Sequence, residues 1–207
     1  MSKHLLLADD SPVTYIAFEG MDNSGKSSAV EVVEQWINKH THTEVVKVRE
    51  PGGSALAETI RDIVTYKTEP LDELTLTFLY MAGRANNMSN VIAPAIEAGK
   101  IVLSDRSYVS GMAYQRDHGR NPALIDLITR VHKPDIIFYI DVDLQTISDR
   151  ATDAPFERSD RNELLLRQSV YRTYVKDNPQ QCIQIDGNRP IEVVQGEIIS
   201  YLESLLG

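Results

Sequence analysis

The rhythm of apolar and polar positions changes repeatedly along this chain. TYIAF (14–18) is a short apolar run that stops at a glycine loop, the pattern of a buried strand. Between Lys26 and about Lys39, the residues Ala29, Val30, Val33, Trp36 and Ile37 recur at helical spacing. EVVKVR (44–49) reads as the next strand and ends at Pro51-Gly52-Gly53. A helix follows with Leu56, Ile60 and Ile63-Val64 on one face, and residues 71–98 form a long helical stretch with a break expected at Pro94. KIVLSDR (100–106), DIIFYIDV (135–142) and CIQID (182–186) are three further strands. Helices are expected over 121–131, 144–177 and 190–205. Residues 1–13 read as a loose extension ending at Ser11-Pro12.

Strands that alternate with helices, most of them apolar on both faces, predict an α/β chain with a parallel sheet covered on both sides. Ligands then bind beyond the carboxyl ends of the strands. The polar residues worth explaining stand at those ends: the loop at 20–27, Arg49 with 50–54, and Asp105-Arg106.

Composition narrows the choice. With 207 residues, 42% of them hydrophobic, the chain is expected to form a single domain over 1–207. A net charge of −9 argues against a nucleic-acid partner, which requires a basic face. The single cysteine, Cys182, excludes an internal disulfide and a cysteine-rich metal site. No apolar run approaches the roughly 18 residues of a membrane span, and the apolar stretch at 5–8 is too short for a signal core. A cytoplasmic protein without a membrane partner is expected.

The strongest chemical signal is FEGMDNSGKSS (18–28). Gly20-Met21-Asp22-Asn23-Ser24-Gly25-Lys26-Ser27 matches G-x-x-x-x-G-K-[ST] and has a strand before it and a helix after it. Glycines let successive N–H groups face phosphate oxygens, and the following helix adds its dipole. Lys26 would reach the β- and γ-phosphates, and the Ser27 hydroxyl would take a Mg²⁺ site. No D-x-x-G switch follows the third strand and no N-K-x-D motif occurs, so a regulatory GTPase does not fit. Arginines recur instead in segments expected to reach the cleft: Arg49, Arg61, Arg84 and Arg106. Several arginines suit a second phosphorylated molecule better than one attacking water.

Five motifs in order make the chain resemble the thymidylate kinases from about residue 14 to 205. They are FEGMDNSGKSS, REPGGSALAETIRDIV (49–64), LYMAGRANNMSNVIAPAI (79–96), SDRSYVSGMAYQ (104–115) and DRNE (160–163). The resemblance implies a three-layer P-loop kinase fold with a five-stranded parallel sheet, helices on both faces and a short arginine-bearing lid over about 150–161. It implies transfer of the γ-phosphate of ATP to dTMP with Mg²⁺, in a homodimer formed through the helices after the second and third strands. Rival readings are a kinase for another deoxynucleoside monophosphate, such as a 5-substituted dUMP, and a non-catalytic nucleotide-binding regulator.

Roles carried over by that resemblance are these. Lys26 and the loop amides hold the donor phosphates, and Ser27 with Asp105 holds Mg²⁺. Arg106 bridges donor and acceptor phosphates, Arg61 holds the acceptor phosphate with Arg49 as the second candidate, and Asp22 approaches the acceptor. Arg84 reads the thymine O4, Tyr80 stacks on the base, Ser110 lines the base pocket, and Tyr114 crowds the 2′ carbon. Where relatives carry the catalytic arginine in the phosphate loop, this chain has Asn23, which assigns that charge to Arg158 or Arg161 of the lid.

Overall fold

The computed structural model describes residues 4–66, 70–115, 123, 132–150 and 160–206. Five strands run β1 (Tyr15–Glu19), β2 (Val45–Arg49), β3 (Ile101–Asp105), β4 (Ile136–Asp141) and β5 (Cys182–Asp186). They form one parallel sheet in the order β2-β3-β1-β4-β5. All five residues of β1 are buried, as the unbroken apolar run requires of a strand with neighbours on both sides and helices on both faces. Phe18 stacks on Phe138 of the adjacent β4 with ring centroids 5.6 Å apart. The chain leaves β1 toward β3 and β2 on one side and crosses back to β4 and β5 on the other. That reversal opens a crevice at the carboxyl ends of β1 and β3.

The helices are α1 (Lys26–His40), α2 (Ala55–Tyr66), α3 (Glu73–Asn87), α4 (Ala93–Glu97), α5 (Tyr108–Tyr114), α6 (Leu144–Arg150), α7 (Arg161–Asp177) and α8 (Ile191–Ser204). Helix α1 buries Ala29, Val30, Val33, Trp36 and Ile37, the stripe expected from the spacing. The expected break near Pro94 takes the form of a wide turn. Met88–Ile92 is π-helical, and the Ala93 N–H reaches back five residues to the Met88 carbonyl. Proline brings no N–H, so the widened turn lets the chain continue into α4.

The N-terminal segment differs from expectation. Residues 4–13 dock as a small hairpin rather than trailing: the Leu6 N–H donates to the Leu205 carbonyl at 2.8 Å and the Val13 N–H to the Leu5 carbonyl at 2.8 Å. Leu5 and Val13 are buried against the end of α8. The helix expected over 121–131 lies outside the described residues, apart from Ala123, and so does 151–159 of the expected lid.

Candidate active site

The phosphate loop lies between β1 and α1. Gly25 adopts φ 98° and Asn23 φ 61°, the left-handed turns that curl the backbone. Helices α3, α5 and α7 are N-capped by the side chains of Asp72, Ser107 and Asp160. Helix α1 has no side-chain cap and no acidic residue in its first turn. Its N-terminus is thus left for an anion. The Lys26 ammonium arches over the loop and donates to the Met21 carbonyl at 2.7 Å. Burial, reinforced by the Arg106 charge, lowers its pKa from 10.5 to about 8.

Facing the loop is the end of β3. The Ser27 hydroxyl donates to Asp105 Oδ2 at 2.6 Å. These are hard oxygen donors, and no cluster of three or more His, Cys, Asp or Glu occurs among the described residues. One hydroxyl and one carboxylate fit Mg²⁺, which keeps waters and takes phosphate oxygens rather than a full protein cage.

Arg106 follows Asp105 in the left-handed region at φ 78°. Its N–H donates to the Phe18 carbonyl at 2.9 Å, and its carbonyl accepts from Ser104 Oγ at 2.5 Å. The guanidinium donates to Asp22 at 2.5 Å, Gly20 O at 3.2 Å, Ser110 Oγ at 3.1 Å and Tyr171 Oη at 3.3 Å. Burial pulls its pKa down, and Tyr114, Tyr171, Asp22 and Glu19 more than reverse this, holding it well above the ordinary value. Asp22, its side chain 65% exposed, also accepts from the Tyr114 hydroxyl at 3.2 Å. Burial would raise the Asp22 pKa, but Arg106 and Lys26 hold it below the usual value.

Beneath Arg106 sits a residue the motif reading did not single out. Glu19 is fully buried and accepts from Ser107 N at 2.7 Å, Ser107 Oγ at 2.7 Å, Ser110 N at 3.2 Å and Ser110 Oγ at 2.6 Å. Three donors converge on Oε1 and one on Oε2, and together they clamp the start of α5 to β1. Ser110 therefore lines the cleft with its hydroxyl already committed to that network.

The cleft is a cavity of about 740 Å³ lined by Lys26, Ser27, Arg49, Arg61, Tyr80, Arg84, Asp105, Arg106, Ser110 and Tyr114 among others. Arg49 pairs with Glu58 at 3.2 Å and is half exposed, whereas Arg61 donates to the Pro51 carbonyl at 2.9 Å. Arg84 is buried. Its Nε donates to Glu50 at 2.6 Å and its Nη2 to the Ser107 carbonyl at 3.2 Å. Burial raises the Glu50 pKa and the Arg84 charge opposes that. Arg84 Nη1 has no hydrogen-bond partner, nor does the buried Gln115 Oε1. Both lie beside Gly111, where a Cβ would stand 2.7 Å from Arg84 Nη1 and 3.0 Å from Gln115 Oε1. Gln115 closes the AYQ motif but was not singled out as a site residue. Its burial beside Arg84 exposes the role. Arg167 of α7, also missed, lines the same cavity with its guanidinium over Tyr114.

Of the expected lid, 150–161, only Arg150, Asp160 and Arg161 are among the described residues. Arg161 is the exposed first residue of α7 and does not line the cavity, and Arg158 lies outside the described residues. Arg150 donates to the Gly187 carbonyl at 2.8 Å.

A parallel sheet with an uncapped phosphate loop, a hydroxyl–carboxylate pair and a second arginine-rich half-site defines a phosphate-loop kinase that brings two phosphorylated molecules together. Comparison with known proteins names the family. The family model described as thymidylate kinase matches residues 18–198. A thymidylate kinase of Shewanella amazonensis is 32% identical, with 95% of this chain and 99% of that relative covered. One from Thermosipho africanus is 34% identical, covering 93% and 98%. The crystal structure of thymidylate kinase from Ehrlichia chaffeensis superposes with a TM-score of 0.72 at 29% identity, covering 91% of this chain and 98% of that one. The chain belongs to the thymidylate kinase family and is an ATP-dependent nucleoside monophosphate kinase.

Proposed function

We propose that this cleft transfers the γ-phosphate of ATP to dTMP, giving ADP and dTDP, within one domain spanning 1–207. The observation that carries the base choice is the unpartnered pair Arg84 Nη1 and Gln115 Oε1. A donor and an acceptor side by side complement an edge that offers an acceptor and a donor. Thymine offers O4 and N3–H in that order. Cytosine offers an amino group and a bare N3, so both contacts would reverse into donor against donor and acceptor against acceptor. Arg84 reads O4, pinned by Glu50 and Ser107, and Tyr80 stacks on the ring.

The attacking oxygen belongs to a phosphate whose second pKa is about 6, so it is ionised at neutral pH and needs no strong base. Catalysis then rests on positioning and charge. Lys26 and the loop amides of Gly20 to Ser27 hold the donor phosphates. Arg106 bridges donor to acceptor, and Arg61, with Arg49 behind it, holds the acceptor phosphate. Asp22 fixes Arg106 and meets the acceptor, and Tyr114 walls the sugar at its 2′ carbon. Ser27 and Asp105 would hold Mg²⁺, which would supply charge neutralisation at the donor phosphates. The remaining positive charge comes from Arg158 or Arg161.

The protein works as a homodimer in the cytoplasm. Leu74 and Phe78 lie one turn apart on α3 and are 44% and 55% exposed, and Leu56 of α2 is also half exposed. That apolar surface suits a second copy. No helix among the described residues is long and apolar enough to cross a membrane. The test is turnover with ATP, Mg²⁺ and dTMP, with ³¹P NMR of the product. Appearance of a diphosphate resonance pair on the thymidine nucleotide supports the assignment, and ATP hydrolysis without it overturns it.

A further inference from the structure

We propose that Arg167 is a positioning residue for sugar selection: it holds the Tyr114 ring in place as the wall that admits a 2′-deoxy acceptor and rejects a 2′-hydroxyl one. This rests on the reading of Tyr114 given above.

Tyr114 is held at its hydroxyl by the phosphate-loop side of the cleft. Its hydroxyl donates to Asp22 at 3.2 Å and accepts from Arg106 Nη2 at 3.4 Å. The ring itself is half-buried at the cleft edge and packs on one side against the core. A second hold comes from α7. The Arg167 guanidinium lies over the ring with its carbon 4.4 Å from the centroid, closer than the 5.0 Å of Arg106. Two cations over one aromatic face system are favourable only while their own repulsion is offset, and each has its carboxylate: Asp22 for Arg106 and Glu163, one turn earlier on α7, for Arg167.

Hydrogen bonding accounts for only part of Arg167, whose Nη2 donates to Glu163. The arginine side chain is only 16% exposed, yet its buried Nε–H has no acceptor. A fold that used this arginine for hydrogen bonding alone would have satisfied that group. What the side chain does supply is a flat cation on the ring and a wall of the acceptor cavity. Removing it takes away the nearer of the two cations over the ring and the α7 side of its support, and the ring gains room to move away from C2′.

The test is the preference for dTMP over its ribose counterpart, 5-methyluridine 5′-monophosphate, measured as a ratio of kcat/KM values. Three variants are compared with wild type: Arg167→Met, which keeps the stem without the cation, Arg167→Lys and Tyr114→Ala. Arg167→Met should lower the preference about tenfold, mainly through gain on the ribonucleotide, and Arg167→Lys should restore part of it. A preference within about twofold of wild type in Arg167→Met, while Tyr114→Ala abolishes it, overturns the role of Arg167 and leaves that of Tyr114 standing. If Tyr114→Ala also leaves the preference unchanged, the wall itself is wrongly assigned and the inference falls with it. Should Arg167→Met not fold, Glu163→Gln takes its place: loosening the guanidinium should lower the same ratio, and an unchanged ratio counts against the inference.

Discussion

Gly111→Ala adds one methyl group to the most exposed weakness of the proposed base reader. Gly111 lies within α5 in ordinary helical backbone, so alanine brings no strain in φ and should favour the helix by about 1 kcal/mol. That gain is opposed by the contacts the methyl would make inside the ligand-free protein. The new Cβ would stand 2.7 Å from Arg84 Nη1, 3.4 Å from its Cζ and 3.0 Å from Gln115 Oε1. A free arginine would simply step aside. Arg84 is pinned through Nε to Glu50 and through Nη2 to the Ser107 carbonyl, so its guanidinium plane cannot turn without breaking a buried charge pair. The methyl therefore breaks that pair or pushes its neighbours apart, lowering stability and disturbing the base reader together. Losing one hydrogen bond in a dry pocket costs about 1–3 kcal/mol, so kcat/KM for dTMP should fall by roughly 5- to 150-fold. Differential scanning fluorimetry and steady-state kinetics on the same preparation read both effects. An unchanged or raised Tm with kcat/KM for dTMP within twofold of wild type would refute the claim that Arg84 and Gln115 meet the base edge beside Gly111.

Three further outcomes are expected. Lys26, held at about 8 against an ordinary 10.5, is depressed by burial first and Arg106 second. Below pH 8 its buried charge opposes folding in full. Between pH 8 and 10.5 the unfolded chain binds more protons at this group, so its penalty fades as pH rises. Donor phosphates restore the charge, so ATP binding at pH 8 should take up about half a proton at Lys26. Calorimetry in buffers of different ionisation enthalpy measures this, and zero uptake contradicts it. The double substitution Arg158→Ala/Arg161→Ala should lower kcat by about 10³, as loss of a transition-state arginine does. Turnover within about threefold would remove the lid from the mechanism. Leu74→Glu with Phe78→Glu should turn a dimer into a monomer by light scattering, and an unchanged mass would move the interface elsewhere.

Much of the fold is legible in period and punctuation. The five expected strands formed within a residue or two of their bounds; β1, β3 and β4 are buried on both faces, which leaves little sequence freedom, while the edge strands β2 and β5 are only partly buried. The phosphate loop was readable for a related reason: its chemistry is local, and Lys26, Ser27 and Gly25 stand in one turn of chain. What resisted reading was non-local. Leu5 is buried because it pairs with Leu206 at the far end of the chain, and nothing in an apolar stretch beside Asp9-Asp10 announces that partner. Glu19 looks like the end of a strand until Ser107 and Ser110 fold onto it. Gln115 gains meaning only from the unpartnered Arg84 nitrogen across Gly111. Arg167 reaches the cleft from a helix whose charged, weakly patterned sequence reads as solvent-facing. The arginines of the acceptor half were legible as a set, yet Arg84 is held by Glu50 and Arg106 by Asp22, partners drawn from other segments.

The central claim is that a donor and an acceptor fixed on either side of Gly111 read the O4 and N3–H edge of thymine for phosphoryl transfer. The most direct measurement is the ratio of kcat/KM for dTMP to that for dCMP with ATP and Mg²⁺ at pH 7. Two reversed hydrogen bonds in a buried site predict a preference of about 10⁴ or more. A ratio near one, or turnover of dCMP above that of dTMP, would contradict it.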